Sequence, residues 1–161
     1  MPETPSELDF QDLLDRAVTI PVEAVGGAGK PYWFHSQEDF PYFLARIDNL
    51  GWDLEESAEM DVYEFDIVVR HISGNRTAGI PGEAEGKFYE QLPAILAAFL
   101  SSDLLQSTTY PTAPDWLESI ELQPGVRMTV IDASAIGGGL QIGTDYTLRC
   151  RARLDNYQTY E

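Results

Sequence analysis

DVYEFDIVVRHI, residues Asp61 to Ile72, decides the fold class. Successive side chains of an extended strand point to opposite faces. Tyr63, Phe65, Ile67 and Val69 therefore fall on one side, and Glu64, Asp66 and Arg70 on the other. One dry face and one wet face is the pattern of an antiparallel sheet covered on one side only. The loop SGNRTAGIPG (Ser73 to Gly82) follows. A helix is then expected over Glu83 to Leu105, where Phe88, Leu92, Ile95, Leu96 and Phe99 share a face at 3.6-residue spacing. Pro93 lies inside it and lacks a backbone donor, which predicts a kink or a break.

Working back from the strand, Tyr42 to Ile47 reads as a second one, stopped by the turn signal Asp48-Asn49-Leu50-Gly51. Pro31 to Phe34 (PYWF) has strand preference, and Gly26 to Pro31 reads as a turn. Phe10, Leu13, Leu14, Ala17 and Val18 mark a short helix, capped by Ser6 or Asp9 and ended by Pro21. Beyond the long helix come three strand segments: Trp116 to Leu122, Val126 to Ala133 and Tyr146 to Leu154. Strands on both sides of a single long helix predict an α+β fold. It is a mostly antiparallel sheet with one long amphipathic helix packed on one face and a short N-terminal helix. Residues 1–6 read as a frayed tail, and residues 7–161 as one domain.

The 161 residues carry 27 Asp and Glu against ten Lys and Arg, a formal net charge of −17. Such a surface repels phosphate, so sequence-specific nucleic-acid binding and attachment to anionic membranes are not expected. Met1 to Phe10 lacks the basic and apolar regions of a signal peptide, and Leu92 to Leu100 is too short to span a bilayer. With Cys150 as the single cysteine, a reducing cytoplasm is the expected site of synthesis.

Signals for chemistry are weak. Gly26-Gly27-Ala28-Gly29-Lys30 resembles a phosphate loop, but Ala24 and Pro31 stand where that motif needs Gly and Ser or Thr. His35 and His71 belong to no metal-spaced cluster. Cys150 shares its strand face with Tyr146, Leu148, Ala152 and Leu154, a core position where a buried thiol is a small hydrophobe. Neither a catalytic residue nor a cofactor or metal is expected.

Two charged features remain. Asp53, Glu55, Glu56, Glu59 and Asp61 lead into Glu64 and Asp66 with no basic residue among them. The order of ligands in a calcium loop is missing, so a solvated acidic hairpin is the favoured reading. Arg149, Arg151 and Arg153 alternate with Cys150, Ala152 and Leu154. On a strand they form a row spaced about 6.7 Å apart, which repels itself unless acids face it. Glu64 and Asp66 of the same chain are one set of acids that could do so; the acidic segment of a neighbouring subunit is the other.

Taken in order, these segments resemble the tail terminator family of tailed bacteriophages. The resemblance rests on the leading helix, the strand PYFLARI (Pro41 to Ile47), the strand DVYEFDIVVRHI, the Gly-Pro-Gly loop and the helix segment Gly82 to Leu105. The final strand GTDYTLRCRARL (Gly143 to Leu154) completes it. Residues 19–40 are longer and more aromatic than that pattern, and Pro93 interrupts its helix. The resemblance implies a virion structural protein that catalyses no reaction and uses no cofactor. It would form a ring, usually of six copies, which caps the tail tube, stops its polymerisation and offers a docking surface to the head. Its implied partners are itself, the tail tube protein, a head-completion or stopper protein and, in contractile tails, the sheath. DNA would pass through the ring without specific binding. The implied location is the virion neck, with assembly in the host cytoplasm. Under this reading Arg149, Arg151, Arg153, Glu64 and Asp66 are the subunit-interface residues. The alternatives are another neck protein, such as a stopper or connector, and a small soluble enzyme joining His35 or His71 to carboxylates. An acidic mimic of nucleic acid is a third.

Overall fold

The computed structural model describes residues 8–31, 40–54, 60–76, 82–136 and 139–155. Within these, two helices lie on one face of a six-stranded sheet. The elements run α1 (Phe10–Val25), β1 (Ala28–Lys30), β2 (Tyr42–Leu54), β3 (Met60–Asn75), α2 (Glu83–Ser101), β4 (Leu117–Leu122), β5 (Thr129–Asp132) and β6 (Leu140–Asp155). The sheet order is β1-β2-β3-β6-β4, with β5 pairing beside β4 on the same side of β6. All pairings are antiparallel except β1 with β2. The α+β class read from the sequence is the class observed. Residues 1–6 and the aromatic run at 32–34 lie outside the described residues.

The alternation in β3 sorts the sheet's two faces. Phe65, Ile67 and Val69 are buried against α1 and α2, joined by Leu13, Ala17, Phe43, Ile95, Phe99, Tyr146, Leu148 and Cys150. This dry layer supplies most of the apolar burial that offsets the ordering of the chain. The opposite face divides in two. Toward one end Tyr42, Leu44 and Ile72 are buried, packed by Ala28 of β1, Phe40 and Ile131 of β5. Because β1 and β5 stand at opposite edges, the sheet curls over its own far face there. Toward the other end the face is open and charged.

Several boundaries differ from expectation, each for a local reason. Helix α1 is capped at Asp9, whose side chain accepts from the Asp12 amide at 3.1 Å, but it runs through Pro21 to Val25. Ile20 and Pro21 are buried, and Val22 and Val25 pack on the same core, so apolar contact carries the helix past the missing donor. Pro93 likewise neither kinks α2 into two helices nor ends it; its ring sits on the exposed side. That helix stops at Ser101 rather than Leu105, because Ser102 is extended; Leu104 and Leu105 then adopt positive φ, and Leu105 is buried in the core. The helices, at 16 and 19 residues, are comparable, so one long and one short helix is corrected to two of similar length.

Asp48 to Gly51 is not a turn but a bulge inside β2, with Asn49 at φ 53° and the register shifting between Asp48 and Gly51. Part of the expected Gly26 to Pro31 turn is the parallel strand β1. The last strand begins at Leu140, six residues before Tyr146.

Gly143 of β6 lies opposite Ile72, where the β3 register slips. A β-carbon at this position would run into the His71 carbonyl and press on the Ile72 side chain. Gly143→Ala is therefore expected to destabilise the fold by about 1–3 kcal/mol through overpacking. Urea unfolding reads this as a lower midpoint with an unchanged slope.

Candidate functional site

The open half of the far face is built from strands whose outward positions carry charge in register. Asp66 lies across from Arg149 and Glu64 from Arg151. Glu121 lies across from Arg149 on the other flank, and Asp48 across from Asp66. The arginine row thus runs between acids of the same chain. Arg149 Nε stands 3.4 Å from Asp66 Oδ1, and Arg151 Nη1 stands 3.2 Å from Glu64 Oε1. Glu118 is brought to this face by the bulge between Leu117 and Ser119. Its Oε2 lies 3.6 Å from Arg151 Nε and 3.1 Å from Arg153 Nε.

Three further pairings extend the ladder. Arg70 holds Asp145 through two bonds of 2.8 and 3.1 Å, a bidentate fork. Arg46 lies 3.7 Å from Asp48. Asn49, within the bulge, donates to Asp66 Oδ2 at 2.9 Å. Asp66 is the anchor: its side chain is 7% exposed, against 64% for Arg149. Half of the chain's ten cations, Arg46, Arg70, Arg149, Arg151 and Arg153, are gathered here with six acids. Among the described side chains, cations and acids are thus close to balance on this face. Each exposed pair contributes only about 0–1 kcal/mol, so the ladder sets the character of the surface more than its stability.

Of the residues singled out by sequence, Arg149, Arg151, Arg153, Glu64 and Asp66 come together on this face. Asp53 and Asp61 lie on the paired ends of β2 and β3, while Glu55, Glu56 and Glu59 lie outside the described residues. Sequence reasoning missed Asp145, Glu118 and Asn49. Period-2 counting back from Arg149 through Thr147 would have reached Asp145. The other two depend on bulges, which leave no periodic trace.

The two remaining reactive side chains are in the core. His71 is fully buried, stacked between Phe43 and Phe88 at centroid distances of 5.0 and 5.5 Å. Gln91 Oε1, 2.8 Å from Nε2, can only accept, so Nε2 carries the proton. Nδ1 then accepts from the Tyr146 hydroxyl at 3.0 Å. Burial pushes the imidazole down to about 4. Burial also raises the Tyr146 hydroxyl and pushes the Cys150 thiol up to about 12, with the Asp66 charge adding to the latter. His35 lies outside the described residues. A surface groove of about 310 Å³ runs between α1, the end of α2 and β4, lined by Ile20, Phe99, Leu105, Ile120 and Leu122. Glu121 is the single titratable residue among its described lining.

A strap beside that groove joins helix to loop. Glu23 of α1 accepts from the amides of Thr108 and Thr109, each at 3.0 Å, and from the Thr109 hydroxyl at 2.7 Å. These bonds hold its carboxyl below the usual range. Arg16 donates to the Thr112 carbonyl at 2.6 Å and lies 4.8 Å from the Tyr110 ring centroid. Together they fasten the segment after α2 to α1.

Compared with known protein families and with curated proteins, the chain matches none.

His71 makes acid sensitivity readable. Its folded value near 4 lies below the ordinary 6.5, so the unfolded chain binds more protons between the two. The stabilisation is complete above pH 6.5 and is lost as pH falls toward 4, by about 3 kcal/mol in all. In His71→Phe this part of the slope disappears. Urea midpoints compared with wild type between pH 7 and pH 4.5 measure it.

Proposed function

We propose that this chain is a virion structural protein that caps a tail tube as a ring of identical copies, halts tube polymerisation and presents a docking surface to the head. The observation that carries the reading is the open sheet face. It gathers five of the ten cations of a chain of formal charge −17, and their acidic partners are held across from them in fixed register. A binding surface of this kind acts through complementarity with another surface, where fixed charges select partners and orientation. The order of helices and strands is the feature on which the resemblance to tail terminators rests. The acidic balance of the remaining chain suits a ring through which DNA passes without adhering, because phosphate binding draws on Lys and Arg. Head-to-tail contacts that close by rotation make such a ring.

Light scattering coupled to size exclusion tests the reading, on the chain alone and mixed with a tail tube protein from the same genome. The expected result is a closed assembly of about six copies, alone or on tube ends, with tubes of limited length. A chain that stays monomeric in both runs and leaves tube growth unchanged contradicts it. Binding to the portal side instead of the tube assigns the chain to the stopper or connector class.

A further inference from the structure

The dry layer between sheet and helices is open along one edge. β4 ends the sheet and, among the described residues, pairs with β6 alone. The Gln123 amide donates to the Thr147 carbonyl at 2.8 Å. Bonded and non-bonded positions alternate along an antiparallel pair. Glu121 and Ser119 therefore turn their backbone groups toward β6, and Ile120 and Leu122 turn theirs away from it. The side chains sort by the same parity. Ile120 and Leu122 lie across from the buried Cys150 and Leu148, half-buried, on the dry side. They border the groove of about 310 Å³ together with Phe99, Leu105 and Leu100, the last 73% exposed. Glu121 stands on the charged side, exposed, and has no ion pair among the described residues.

We propose that this edge takes up an extended segment of a different protein, in which one basic residue stands between two apolar ones. Such a segment adds a strand, its backbone meeting the outward amide and carbonyl groups of Ile120 and Leu122. In that pairing the residues opposite Ile120 and Leu122 send their side chains to the groove. The residue between them lies opposite Glu121. There a Lys or Arg makes an opposite-charge cross-strand pair, and an Asp or Glu a repulsive one. The formal charge of −17 likewise draws basic segments and turns acidic ones away.

The same requirement sets aside a second copy. β4 itself contains no Lys or Arg. Among the described residues, the apolar-basic-apolar order occurs at Ala45 to Ile47, at Val126 to Met128 and along β6. Ala45 is fully buried, Val126 and Met128 pack against the core, and β6 lies between β3 and β4. A folded second copy therefore offers none of them as a free strand. The contact is independent of the ring reading.

Hydrogen exchange of single amides, followed by NMR, tests this on the full chain with a short capped probe, Val-Lys-Val-Lys-Val. The expected result is slower exchange at the Ile120 and Leu122 amides, by about tenfold or more at saturating peptide. The isomer Val-Val-Val-Lys-Lys carries the same charge, and the probe N-methylated on its valines lacks the donors that face β4. Neither should slow these amides, nor should Val-Glu-Val-Glu-Val. Glu121→Lys should weaken the Lys probe about tenfold and strengthen the Glu peptide. Should circular dichroism show that reversal to be unfolded, Glu121→Gln replaces it and should narrow the preference between the two peptides. Unchanged exchange at both amides with the Lys probe overturns the proposal. So does equal slowing by the isomer or the Glu peptide, or a preference that neither variant moves. Slowing that rises with the concentration of the chain alone assigns the edge to a second copy and overturns it too.

Discussion

Where Asp66 lies across from Arg149, the next pair along the same two strands is Phe65 across from Cys150. One pairing register therefore puts charge on one side of the sheet and core on the other at each step. A slip by one residue would turn Phe65, Ile67 and Val69 toward water and bring Glu64 and Asp66 under the helices. Leaving those carboxylates buried without their arginines, and the aromatic layer exposed, would be far costlier than any single ladder contact contributes. The register of β3 against β6 is thus fixed from the dry side. The charged face follows from it.

This asymmetry explains how so acidic a chain can carry a row of three arginines. The row is tolerated because β3 and β4 flank β6 and supply Asp66, Glu64 and Glu118 to its outward side. The pairing draws half of the chain's basic residues onto one surface. There, among the described side chains, five arginines stand among six acids. On the inward side the same strands place His71, Tyr146 and Cys150 in an environment that keeps all three neutral near pH 7.

The part of this arrangement legible in the sequence is what periodicity encodes. Asp61 to Ile72 announced both faces of the central strand, and the alternation of Arg149, Arg151 and Arg153 announced the row beside it. Their pairing with Glu64 and Asp66 of the same chain was one of two alternatives left open there, and the register of β3 against β6 supplies it. What periodicity does not encode was missed. Pro21 read as an end and Pro93 as a kink or a break because a proline removes a donor, whereas burial of Ile20 and Ile95, with Val22 packed beside the core, keeps both helices continuous. Asp48 to Gly51 read as a turn because Asn and Gly favour one, but the bulge reuses the same positive φ within a strand. Glu118 and Asn49 reach the ladder through such bulges. The His71 network joins residues 20 and 75 positions apart, a distance over which local pattern carries no signal.

The proposed role depends on this polypeptide acting through its faces in an assembly. Deleting its gene from the genome that encodes it, and imaging the particles produced by negative-stain electron microscopy, tests that most directly. The account predicts filled heads lying free beside tubes of irregular or excessive length, with normal particles returning when the chain is supplied in trans. Tails of normal length joined to heads in the absence of the chain would contradict it.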